Sequence, residues 1–295
     1  MSYFAWNRHT ISLTGSLAAS LSPTSETEQW FALVDTAFDA GRKRPFDLPA
    51  ETLPIYHQGT LERLSGISPL LVPLDRDAVD PVLLTQRLLH HCDGRPMLSF
   101  IRSTATAEDL REAWQNALEV ETSDGQIFVL RFADTRITPV LAESLFASVW
   151  GRLCDGIAEW RLVGRDCRLQ SLPLAPPPER RDESAMPRLD DAMLARLLQA
   201  GEADALASQL HGHIAELFHG IPGASVHQTL SAVCTIAELY GMTSRTDLMA
   251  LAAVCLHQKE WLARADFLHW LEQRPWTNGD FSAALDRFFR SEESA

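Results

Sequence analysis

A chain of 295 residues, 46% hydrophobic and 22% charged, can bury one large core or two modest ones, and disorder does not dominate it. Its formal charge of −13 argues against non-specific nucleic-acid binding, which needs a basic stripe. The longest basic cluster, Arg42-Lys43-Arg44, sits beside a proline and reads as a solvated loop.

Taken in chain order, residues 1–20 carry Asn7, Arg8 and His9 where a secretory leader needs an apolar core, so no signal peptide is expected. Gln29 to Val34 and Leu70 to Leu74 read as strands. Val79 to His91 reads as a helix closed by Asp93-Gly94, and Met97 to Ile101 as a short strand. Thr106-x-x-Asp109 caps a helix whose Leu110, Ala113, Trp114, Ala117 and Leu118 share one face. The pair Asp124-Gly125 then feeds a strand over Gln126 to Phe132, which ends in Arg131, Asp134 and Arg136. An amphipathic helix is predicted over Ile137 to Leu153. Ile157 to Val163 and Cys167 to Leu172 form a hairpin pattern around Gly164-Arg165-Asp166.

Strands alternating with helices predict an α/β N-terminal lobe, with a mixed, largely parallel sheet, over residues 1–172. The prolines and charges of Pro173 to Pro187 predict a linker over 173–188. Beyond it every periodic segment is helical, so an all-α lobe is predicted over 189–295, with Gly241 ending one helix and Ser244-x-x-Asp247 starting the next. No apolar run reaches the length of a membrane span. The five cysteines (92, 154, 167, 234 and 255) are odd in number, widely spaced and without Cys-x-x-Cys. They read as reduced thiols of a cytoplasmic protein, not as a disulfide framework or zinc site.

Candidate chemistry is sparse. In His90-His91-Cys92-Asp93 the adjacent histidines diverge on a helix and favour its negative C-terminal end over a shared metal ion. His211, His213 and His219 lack a completing ligand and read as ordinary histidines. Phosphate-cradle, nucleophile-elbow and His-Glu-x-x-His patterns are absent from the sequence. Asp35 and Asp134 could form a carboxylate pair for acid–base work. The competing reading is a salt-bridged lattice with Arg131 and Arg136, because carboxylates and guanidiniums in one corner neutralise each other. Trp30, Trp114, Trp150, Trp160, Trp261, Trp270 and Trp276 fall mostly at apolar periodic positions and read mainly as core.

Four stretches carry a family resemblance. Trp30 to Ala37 presents a strand with a terminal Asp, and Gly66 to Leu74 a Pro-led second strand. Asp124 to Arg136 resembles a Gly-x-x-x-x-x-Arg-Phe-x-Asp-Pro-Arg signature, and Ile137 to Trp160 the helix and Trp strand that follow it. In order and spacing, residues 29–163 resemble the effector adaptor/chaperone family of bacterial type VI secretion. The chain departs from that pattern at Ala133, at Thr135 (where the family has Pro) and at Arg95-Pro96. The resemblance implies a non-enzymatic cytoplasmic protein that binds a toxin effector and promotes its loading onto the spike protein. No cofactor, nucleic acid or membrane is implied. Asp35, Arg131, Asp134, Arg136 and Trp160 would be protein-binding or cleft-framework residues, none of them catalytic. The alternative is a small-molecule enzyme using the Asp35/Asp134 corner.

Overall fold

A computed structural model describes residues 3–9, 13, 15, 17, 20–21, 27–40, 49–74, 81–177, 186–277 and 280–293. The basic cluster Arg42-Lys43-Arg44 and residues 178–185 of the Pro-rich segment lie outside them. The chain packs as two compact units, residues 7–200 and residues 1–6 with 201–295.

The first unit is built on a six-stranded sheet. Its strands are β1 (Gln29–Val34), β2 (Leu53–Pro54), β3 (Leu70–Pro73), β4 (Leu98–Ser103), β7 (Ile157–Val163) and β8 (Leu169–Ser171), in the order β2-β3-β1-β4-β7-β8. Every pairing in it is antiparallel, which overturns the largely parallel sheet expected from the sequence. Helix α1 (Pro81–Cys92) does join two strands that run the same way, β3 and β4. Each of them is antiparallel to β1, however, and β1 lies between them. A helix crossing between codirectional strands therefore leaves no parallel neighbours when an earlier strand fills the gap.

Both faces of the sheet are buried, and period-two alternation distributes the residues. Phe31 and Leu33 of β1, Leu71 of β3, Ile101 of β4 and Trp160 of β7 enter one core with helix α2 (Ala107–Trp114). Trp30, Ala32, Val34, Val72, Leu98 and Phe100 enter the other, with Leu84 and Leu88 of α1. This two-sided burial is why the strands read as unbroken apolar runs, the usual mark of a parallel sheet. Thr106 caps α2 by accepting from the Asp109 amide (3.1 Å), and the Asp109 carboxylate accepts in return from the Thr106 amide, as the sequence predicted.

The strand predicted over Gln126 to Phe132 is shorter and belongs to a second, three-stranded sheet. There β6 (Ile127–Val129) pairs antiparallel with β5 (Glu119–Thr122), and β5 pairs parallel with β9 (Arg188–Leu189). The helix predicted from Ile137 to Leu153 is broken into α3 (Thr138–Leu141), a 3-10 turn (Ser144–Phe146) and α4 (Ala147–Leu153). The break falls at Glu143, whose extended backbone places its carboxylate in a two-pronged bond with Arg196, 2.9 and 2.6 Å.

The described ends of the Pro-rich segment are held on this unit. Trp150 Nε1 donates to Pro173 O (2.7 Å), Ala175 packs against the core, and Pro187 O accepts from the Glu121 amide (2.9 Å). The packing division falls between Ala200 and Gly201, inside α5 (Asp191–His213), and so differs from the predicted division at 173–188.

In the second unit the rest of α5 packs with α6 (Gly223–Tyr240), α7 (Arg245–His257), α8 (Ala265–Glu272) and α9 (Phe281–Glu293). Leu206, Leu210, Val226, Leu230, Leu251, Phe267 and Phe281 are among its buried residues. Gly241 ends α6 in the left-handed region (φ 73°), and the Ser244 side chain accepts from the Asp247 amide at the start of α7.

Candidate functional site

The candidate site lies where β1 ends. Asp35 follows the strand, and its amide donates to Met97 O (2.9 Å), fixing the chain beside β4. Its carboxylate accepts from the Ala37 amide (3.0 Å) and so caps the 3-10 turn Thr36–Asp39. The Thr36 hydroxyl donates to Ser68 O (2.7 Å), binding that turn to the approach of β3.

The second contributor is the turn after β6. Asp134 O accepts from the amides of Ile137 and Thr138, and the Thr138 hydroxyl is bonded to Phe132 O and Asp134 O, both 2.9 Å. This knot forces residues 131–136 into a tight corner ahead of α3. Asp134 receives Arg136 through both carboxylate oxygens, Nε to Oδ1 at 3.0 Å and Nη2 to Oδ2 at 2.7 Å. Arg131 Nη2 lies 2.7 Å from Asp35 Oδ2 and 3.7 Å from Asp134 Oδ2, so one amino group sits between the two carboxylates. Both guanidiniums also lie on the Phe38 ring, with Cζ 4.9 Å (Arg131) and 5.2 Å (Arg136) from its centroid.

Asp35 and Asp134 are each only 2% exposed, whereas the Arg131 side chain is 42% exposed. Burial raises the Asp35 pKa and Asp134 adds to the rise, while Arg131 pulls against it. Tyr56, buried nearby, is pushed up to about 12, first by burial and then by the Asp35 charge. Two carboxylates face two guanidiniums, so the corner is close to neutral in a chain of net charge −13.

Four of the five residues singled out from the sequence, Asp35, Arg131, Asp134 and Arg136, therefore meet. Trp160 does not join them. It is fully buried in the core, against Trp150 (4.8 Å between ring centroids), with its indole N–H donating to Ser99 Oγ (3.2 Å).

A second cluster adjoins the first and went unread in the sequence. His91 Nε2 lies 2.8 Å from Asp39 Oδ2, and Arg95 Nη1 donates to Asp39 Oδ1 (2.6 Å) and to Phe38 O (3.2 Å). Arg95 Nη2 also donates to His91 O. Burial works against the Asp39 charge, but the bonds from His91 and Arg95 outweigh it and lower the carboxyl pKa. His91 lies in the last turn of α1, as its sequence position suggested. The spacing His91-x-x-x-Arg95 was a visible hint of a shared acidic partner, but Asp39 is more than fifty residues distant.

Among the described residues, no group of three or more His, Cys, Asp or Glu is placed to hold a metal ion. All five cysteines are free. Burial pushes Cys154, Cys167 and Cys234 up to about 11 and Cys255 up to about 12, so none of these four offers a thiolate near neutral pH.

This geometry defines an α-plus-β unit with a buried, self-neutralising ion-pair corner. Residues 30–152, which include all four corner residues, match a family model described as a domain of unknown function (DUF4123). No curated protein and no solved structure matches the chain.

Proposed function

We propose that the chain is a cytoplasmic adaptor/chaperone of type VI secretion, which binds a toxin effector and promotes its loading onto the spike protein. The observation that carries this reading is the family match over residues 30–152, which covers most of the stretch 29–163 whose pattern resembles that adaptor family. The chemistry of the corner supports it. A general acid or base needs a carboxyl free to exchange its proton with substrate. Asp134 is instead clamped by Arg136, and Asp35 is held by Arg131 and the Ala37 amide. Such groups fix a backbone corner, and the competing small-molecule enzyme would need one of them unpaired. The net charge of −13 suits a carrier that must keep an aggregation-prone client in solution. Among the described residues no helix is long and apolar enough to cross a membrane.

Co-expression with the effector and spike proteins encoded beside it, followed by tagged pull-down and size-exclusion chromatography, tests the proposal. A stable binary or ternary complex, with the effector insoluble alone, is the expected result. A chain that co-purifies with neither protein refutes it.

A further inference from the structure

The three-stranded sheet ends on β6, and among the described residues no strand pairs with its outer side. The hairpin register fixes which backbone groups face outward. Leu130 N donates to Leu118 O (2.7 Å) at one end of the ladder, and Thr122 N to Gln126 O (2.9 Å) at the other. Hydrogen-bonded pairs alternate in an antiparallel ladder. Phe128 therefore turns its N–H and C=O inward to Val120, while Ile127 and Val129 turn theirs away from β5. The side chains on this edge are apolar and in water, Ile127 at 57% and Phe128 at 46% exposure. Soluble proteins blunt such edges with lysine, proline or inward charges. Gln126-Ile127-Phe128-Val129-Leu130 carries none of these.

We propose that β6 is a self-pairing edge, on which a second copy of the chain docks antiparallel about a two-fold axis through Phe128. The strand is its own complement. Rotation about Phe128 sets Ile127 opposite the partner's Val129 and Val129 opposite the partner's Ile127, so each outward N–H meets an outward C=O. Phe128 meets the partner's Phe128 at a non-hydrogen-bonded position, where facing side chains approach most closely. Charge selects the same direction. The nearest charged residues are Asp124 before the strand and Arg131 after it. Antiparallel pairing lays Asp124 of one copy beside the exposed flank of Arg131 of the other, and parallel pairing would lay Asp124 beside Asp124. An edge this short covers less than the ~1,200 Å² of a standard interface, so the dimer is weak and concentration-dependent. This inference is independent of the adaptor reading.

Sedimentation equilibrium of the full chain, from low micromolar to several hundred micromolar, tests it. The wild-type mass is expected to climb from monomer toward dimer. F128K and F128E each set like charges face to face at the axis and are expected to remain monomeric, with circular dichroism confirming their fold. Mixing the two in equal amounts is expected to restore the dimer, because Lys then faces Glu. Should F128K fail to fold, I127P removes an outward N–H without taking a bond from the β5–β6 ladder, and is likewise expected to be monomeric. A wild-type chain that stays monomeric throughout overturns the proposal, even if an extended client segment uses the edge instead. So does an F128K or I127P chain that dimerises like the wild type, or a folded F128K/F128E mixture that does not associate.

Discussion

Replacing Arg131 by Met would keep most of the aliphatic stem and its contact with Phe38 while leaving Asp35 without its guanidinium. Breaking a buried ion pair by deleting one partner costs about 3–5 kcal/mol. Here solvent already screens part of the pair, since Arg131 is 42% exposed, and Asp35 keeps the Ala37 amide. The discounted cost is about 2 kcal/mol at pH 7. For a unit of this size that lowers Tm by about 4–8 °C. The reverse deletion, Asp35→Asn, is far milder, because the amide oxygen still accepts from Ala37 and Arg131 can turn to water. Its cost should stay below ~1 kcal/mol.

The pH dependence separates this account from simple loss of packing. Asp35 has a raised pKa in the fold, from burial first, against the pull of Arg131. A carboxyl whose folded pKa exceeds its unfolded one contributes stability that is fully present below the unfolded pKa and is lost as pH rises through the folded one. Removing Arg131 raises the folded pKa further. The R131M deficit should therefore be largest at pH 7 and shrink as pH falls toward ~4. Calorimetric or fluorescence melting of wild type, R131M and D35N across that range makes the comparison. A deficit independent of pH, or a D35N variant as damaged as R131M, refutes the reasoning.

Asp39 has the opposite sign. Its lowered pKa contributes stability above the unfolded value that is lost as pH falls through the folded one, so D39N should cost about 1–3 kcal/mol in urea unfolding at pH 7 and little in acid. Thr135 buries its hydroxyl with no hydrogen-bond partner among the described residues, so T135V should raise stability by about 1 kcal/mol in the same assay. A Cβ at Gly151 would lie 2.3 Å from Pro176 O, so G151A should loosen residues 173–177. The expected signs are a cost of about 1–3 kcal/mol and faster proteolytic cleavage there.

What the sequence made legible was local. The apolar run into Asp35, the Thr106/Asp109 cap and Gly241 at the end of α6 are written within a few residues of one another, and each is found as read. The charged corner was legible for a related reason. Arg131, Asp134 and Arg136 are neighbours in sequence, and Asp35 closes a strand that had to end beside something. Strand direction was not legible, because it depends on β1 lying between β3 and β4, and apolar runs look alike whichever way the neighbours point. The broken helix was hidden for the same cause. Glu143 answers to Arg196, which lies in another element, and no periodicity within Ile137 to Leu153 reports it. The short strand Glu119–Thr122 carries its alternation over too few residues to stand out from the end of the preceding helix.

The two clusters also explain why so many charges are buried at one place. The turn Thr36–Asp39 has no fully buried residue of its own, and half-buried Phe38 packs against the edge of a core, so burial holds the turn only in part. Its position is set from outside, by Arg131 on Asp35, by the guanidiniums of Arg131 and Arg136 on Phe38, and by His91 and Arg95 on Asp39. Each contact comes from a different part of the chain, the corner after β6 or the end of α1. An apolar replacement could match their free energy, since buried ion pairs rarely outperform good hydrophobic packing. It would not match their direction. The Arg136 fork on Asp134 holds the corner itself in one orientation, and the Arg131 bond to Asp35, with both guanidiniums on Phe38, ties the end of β1 to that corner ahead of α3. The part of this frame left in water is the flank of Arg131, one residue past the buried Leu130 and two past the β6 strand. The rigidity that the corner provides is thus delivered beside the edge proposed to pair with a second copy, where a loose strand end would blunt the register that such pairing requires.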